Sequence, residues 1–417
     1  MTGPPRLPPL RVEQALRLLP DVDALMPLRS MLVGASRARA PVGPYVTVGK
    51  RSLQVSALRE LAPQAVERAS AHLAELYDAA IAALEAEQRG DSSAVVAALL
   101  RAGVREEHVG RETAARGWYE HALAVAEELR DRRPEIEALL HLGQLEAERG
   151  RLEQAARHYQ RTLALAEAEY DTEHAAAACR GLGQVALHDE PLQGAEAWFT
   201  RGLRYAEGTP ALTAPIYLDL AIVARRQGNA ERADELVQRA RTAVDRARDP
   251  AGRVRVLDAL AQNAGARGRF VEGVARYREA LAELRGRRDQ GRLELTMRLN
   301  LCRLLAEAGR LPQAEDEARR AEEMAIAQNL TRQLASLYAL MGSVRGQQGD
   351  ETGFVFFEKA IELCRGPEPF PRLEADVYLE YGRFRQALGD VDEARACAER
   401  AQEIIQTLGI GAEASFI

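Results

Sequence analysis

The chain has 417 residues, with 56 basic against 62 acidic side chains, a net charge of −6 and 47% hydrophobic residues. That charge excludes general nucleic-acid affinity, which needs a basic footprint, and no 18-residue apolar run is present to cross a membrane as a helix. Cys179, Cys302, Cys364 and Cys397 stand far apart without a CxxC pair, which excludes a disulfide framework and points to a reducing cytoplasm.

Residues 1–52 read as a Pro-rich basic arm or small module, with eight basic residues against three acidic ones. RVEQALRLL in this segment has the pattern of a short helix, and YVTVG is its one β-like alternation. No basic region followed by an apolar core and cleavage site opens the chain, so no secretory leader is expected. The segment's +5 charge faces about −11 on the remainder, and it is expected to dock on the repeats. Residues 53–90 read as capping helices, with Tyr77 and Ala80 spaced like an aromatic and its following small residue. Arg outnumbers Lys 54 to 2, which fits GC-rich bacterial coding better than a demand for guanidinium groups.

From residue 91 to 405 the chain repeats itself. Gly103, Gly143, Gly183, Ala221, Ala261, Cys302, Gly342 and Gly382 fall 40, 40, 38, 40, 41, 40 and 40 residues apart. Twelve positions after each stands a small residue such as Ala115, Ala155 or Ala195, and four further on an aromatic such as Tyr119, Tyr159 or Phe199. Residues three and four apart share a helix face, so the second small residue and the aromatic form one stripe. The first small residue lies on a partner helix, where close backbone approach leaves room for the ring. The period predicts units 93–130, 134–170, 173–206, 212–248, 251–285, 292–328, 331–365 and 372–405, with Pro134, Pro210, Pro215 and Pro250 in or beside the breaks. The seventh unit fits when shortened by one residue, giving Gly353, Phe357 and Ala360. Residues 406–417 form a short tail.

Leu142, Gly143, Gly150, Ala155, Tyr159 and Thr162, with Leu182, Gly183, Ala195 and Phe199 in the next unit, resemble the tetratricopeptide repeat family. The resemblance covers about residues 93–405 and implies an all-α fold. It would be a right-handed superhelical solenoid of about eight helix pairs with an N-terminal helical cap. The 40-residue period exceeds the commoner 34, so the helices or connections are longer. Glu190-Pro191 replaces the turn glycine of unit three, and units four, six and eight lack the aromatic, so looser packing is expected there.

No GxSxG, HExxH, Walker loop, GxGxxG or paired zinc-ligand motif occurs. The seven histidines all lie between His72 and His188, with no i, i+4 pair. Neither an enzyme nor a metal site nor a cofactor is expected. The resemblance implies a concave groove lined by the first helix of each pair. Its groove offsets fall on Arg180, Gln184, His188, Asp219, Arg225, Arg226, Asp258, Gln262, Asn300 and Arg303, with Leu218 and Ile222 as apolar anchors on the same wall. The carboxylate-clamp pattern of Lys and Asn is missing, since Asn300 is the only groove Asn. These positions imply a non-catalytic scaffold holding a protein or peptide, with the arginines favouring an acidic segment and the aspartates setting its register. A peptide- or ligand-responsive sensor, resembling the repeat regions of bacterial transcriptional or phosphorelay regulators, is the alternative.

Overall fold

The computed structural model describes residues 45–48, 51–54, 71–89, 91–108, 111–188, 192–287, 290–328, 330–366 and 369–408. They divide between two compact units, Met1–Leu145 and Glu146–Ile417. In the first unit, strands β1 (Tyr45–Val48) and β2 (Arg51–Gln54) pair antiparallel, with Tyr45 opposite Gln54. The β-like alternation at YVTVG is thus one arm of a hairpin. The docking expected of residues 1–52, and their short helix, lie outside the described residues.

Helices α1 (Ala71–Arg89), α2 (Ser92–His108) and α3 (Glu112–Leu129) follow in this unit, and the last turn of α4 (Arg132–Glu148) belongs to the second. Ala80, Leu84, Val95, Leu99, Trp118, Tyr119 and Leu142 belong to one buried core. The small-residue and aromatic stripe explains the packing of α2 on α3. A Cβ at Gly103 would lie 2.4 Å from the Tyr119 ring, so only Gly lets the ring close against that helix.

The second unit continues with α5 (Leu152–Ala168), α6 (Thr172–Ala186), α7 (Gln193–Tyr205), α8 (Pro210–Arg226) and α9 (Ala230–Ala247). Then come α10 (Pro250–Ala266), α11 (Phe270–Leu284), α12 (Gly291–Glu307), α13 (Leu311–Ala327), α14 (Thr331–Gln347), α15 (Gly353–Cys364), α16 (Pro371–Ala387) and α17 (Val391–Thr407). Apart from the hairpin, the described residues form an all-helical repeat array. Each repeat boundary read from the sequence falls within a few residues of a helix end. Pro210, Pro250 and Pro371 open their helices, where the missing N–H has no intrahelical acceptor to lose. Pro215 departs from the expectation: α8 starts at Pro210, which places Pro215 inside the helix.

The stripe holds in the second unit too. A Cβ at Gly183 would lie 2.5 Å from Phe199, and one at Gly342 would lie 2.6 Å from Phe357, which confirms the shortened seventh register. The turn between the helices of a pair is left-handed, as at Gly228 with φ +74. In place of the aromatic, Val237 and Ala318 are buried in units four and six, a small void lies beside Ala318, and in unit eight Ala398 is exposed. Glu190-Pro191 lies outside the described residues. Cys302 is buried beside Ala314, its Sγ 3.3 Å from that residue's carbonyl oxygen, as its position among small residues implied.

First helices also pack on first helices: α6 on α8, α8 on α10, α10 on α12, α12 on α14 and α14 on α16. No such contact of comparable extent joins the second helices of neighbouring pairs, so the first helices occupy the side of smaller radius. The unit also meets itself. Arg332 on α14 donates to the Glu148 carbonyl at 2.6 Å, and Leu152 packs against the cluster of Ala375, Ala401, Ile404 and Ile405 on α16 and α17.

Candidate functional site

Apart from His188, the polar residues expected on the groove lie on the first helices α6, α8, α10 and α12, and most of them bond to one another. On α8, Asp219 accepts from Arg180 Nε at 2.5 Å and lies 3.4 Å from Gln184 Nε2, both on α6. On α10, Asp258 Oδ1 accepts from Gln262 at 2.9 Å, from Asn300 of α12 at 3.0 Å and from the Tyr277 hydroxyl of α11 at 2.9 Å. Arg225 of α8 reaches across to α10, donating to Gln262 Oε1 at 2.8 Å and to Asn263 Oδ1 at 3.2 Å. Asn263 in turn donates to Asp234 of α9 at 3.0 Å. Arg225, Gln262 and Asp258 thus link α8 to α10 and α12, while Asp219 ties α8 to α6.

The electrostatics follow from burial. Asp219 is 6% exposed, and desolvation pushes its carboxyl above the usual range against the pull of Arg180, Gln184 and Arg255. Burial also raises the Tyr277 hydroxyl, reinforced by the charge of Asp258 that it bonds. Arg225 is lowered by burial, with Asp258 and Tyr277 acting in the opposite sense.

Two sequence expectations change. Asp219 is too buried to set the register of an incoming segment by repulsion; its carboxylate is occupied in orienting Arg180 and Gln184. Arg226 is committed to the Leu187 carbonyl, so it braces the end of α6 more than it presents a free fork. His188 falls in the turn after α6 and is exposed. Leu218 and Ile222 are partly buried on α8, and Arg303 is exposed on α12. Sequence reasoning missed Asn263, the Tyr277 hydroxyl and Arg255. Arg255 had a signal: it stands three residues before Asp258 and so shares its helix face.

Among the described residues no three His, Cys, Asp or Glu side chains gather to hold a metal, and no helix is long and apolar enough to cross a membrane. No family model matches the chain, and no curated protein is similar to it in sequence. Solved structures match its fold. A Rap protein complexed with competence and sporulation factor is 11% identical over 85% of this chain and 94% of its own, with a TM-score of 0.57. The Rap conjugation gene regulator of plasmid pLS20, in complex with the Phr* peptide, is 12% identical over 98% of both chains, with a TM-score of 0.54. Aspartyl phosphate phosphatase F from Bacillus subtilis is 10% identical over 100% of this chain and 99% of its own, with a TM-score of 0.51. The fold is that of a tetratricopeptide-like helical repeat protein.

Proposed function

We propose that the chain is a cytoplasmic, non-catalytic interaction protein that holds a peptide or protein segment against the wall formed by α6, α8, α10 and α12. The observation that carries this reading is the hydrogen-bonded network centred on Asp258. It fixes long polar side chains of three successive first helices before any ligand arrives, and preorganisation of this kind lowers the ordering cost of binding. Arg255 and Arg303 are exposed and outside that network, which leaves them to meet carboxylates. Leu218 and Ile222 supply apolar surface beside them.

The peptide-responsive form of this reading is favoured over a passive scaffold by the two Rap structures, each solved with a peptide factor. The named phosphatase shares the fold alone, and fold does not carry chemistry. The test is to select binders from a random library of about twelve residues and fit them with a photo-crosslinker. Crosslinks should fall on α8, α10 and α12. Crosslinks confined to the second helices or to residues 1–52 would move the binding surface away from this wall.

A further inference from the structure

A cleft of about 650 Å³ in the second unit lies away from the network centred on Asp258. It opens between the second helices of the third and fourth repeats, α7 and α9, with the amino end of α8 at its base. We propose that it is a second binding site, for a small organic anion with a phosphate or carboxylate head on a flat apolar body.

Three arginines line it, Arg204 from α7 and Arg239 and Arg246 from α9. Arg239 and Arg246 are seven residues apart, which puts both on one face of α9. Among the described residues none of the three has a carboxylate within ion-pair distance, although Glu207 also lines the cleft. On the same two helices Arg201 is paired with Glu167 at 2.6 Å and Arg232 with Glu196. Acidic residues outnumber basic ones in this chain, so three unmatched guanidinium groups around one cleft mark a local excess of positive charge. Guanidinium forks match carboxylate and phosphate oxygens two at a time. The positive end of the α8 dipole adds to the same field.

The rest of the lining selects for a body as well as a head. Leu203, Pro210 and the Tyr217 ring are apolar surfaces. The volume lies in the range of ordinary small-molecule sites. The three arginines come from second helices and α8 contributes only its amino-terminal half, so occupancy here does not require the wall residues Arg225, Asp258 and Gln262 to be engaged.

The test is calorimetric titration of the full chain with phenyl phosphate, benzoate and inorganic phosphate. At least one aryl probe should bind saturably and at least tenfold more tightly than inorganic phosphate; which one wins identifies the head group. The double substitution Arg239→Ala with Arg246→Ala should weaken that probe at least tenfold while circular dichroism stays unchanged, since both side chains are exposed and unpaired. Arg303→Glu, on the polar wall, should leave it unaffected, which separates failure of this site from failure of the groove reading. No saturable binding of either aryl probe, or equal affinity in the double variant, would overturn the proposal.

Discussion

At the scale of single residues, two glycines are required for different reasons. Gly183 sits under the Phe199 ring, so Gly183→Ala overpacks the helix contact and should cost about 1–3 kcal/mol. Gly228 has open space where its Cβ would be, and only its φ of +74 opposes Ala, at a cost of roughly 1–2 kcal/mol. Urea unfolding of the two variants checks both; a Gly183→Ala chain as stable as the parent would deny the ring contact. Glu87 on α1 makes a separate prediction. Burial, with no partner for its Oε1, pushes its carboxyl from 4.5 up to about 7. The raised value means the folded state resists ionisation. The group therefore costs nothing below about pH 4.5, and stability falls as pH rises toward 7, by at most about 3 kcal/mol. Glu87→Gln should flatten that slope in unfolding curves taken from pH 4 to 8.

At the scale of helices, the turns within pairs carry a repeated ion pair that changes sense along the chain. Glu106 bonds Arg111 at 3.2 Å and Glu146 bonds Arg151 at 3.3 Å, five residues on and across the turn. In units seven and eight the charges are exchanged: Arg345 bonds Asp350 at 3.2 Å and Arg385 bonds Asp390 at 3.3 Å. Both orders therefore fit the same turn. Glu146→Arg alone should destabilise by about 1–3 kcal/mol, since it sets two like charges together at a buried position. Adding Arg151→Asp should recover at least half of the loss in thermal unfolding. The exchange is legible in the sequence as a constant five-residue offset, but it carries no hydrophobic signal. What the sequence did disclose were features that backbone geometry forces: the period, the ring-on-glycine contact, the left-handed turn and the helix-opening prolines. The polar wall was legible only as a set of positions. Offsets say which side chains share a face, and they do not say that Asp219 is buried under Arg180 or that Arg226 is spent on a carbonyl. Tyr277 shows the same limit, because its ring serves the stripe while its hydroxyl, at the far end, reaches Asp258.

At the scale of the whole array, the self-contact of the second unit bears on how freely its wall can open. Leu152 of α5 beside Ile404 and Ile405, with Arg332 on the Glu148 carbonyl, ties the start of the unit to α14, α16 and α17. Leu152→Asp should break that tie and raise amide exchange in α16 and α17 while α10 and α11 stay protected. Unchanged exchange in α17 would show that the contact carries no stability. The central claim concerns the wall itself and is tested most directly by affinity. Arg255 and Arg303 are exposed and lie outside the hydrogen-bond network, so Arg255→Glu with Arg303→Glu reverses the charge offered to a ligand while leaving the scaffold of Asp258, Gln262 and Arg225 in place. For a peptide selected against the full chain, calorimetry should give at least a tenfold loss of affinity in this variant, because like charge then faces the acidic segment. Affinity equal to that of the parent, with the helical spectrum intact, would contradict binding at this wall.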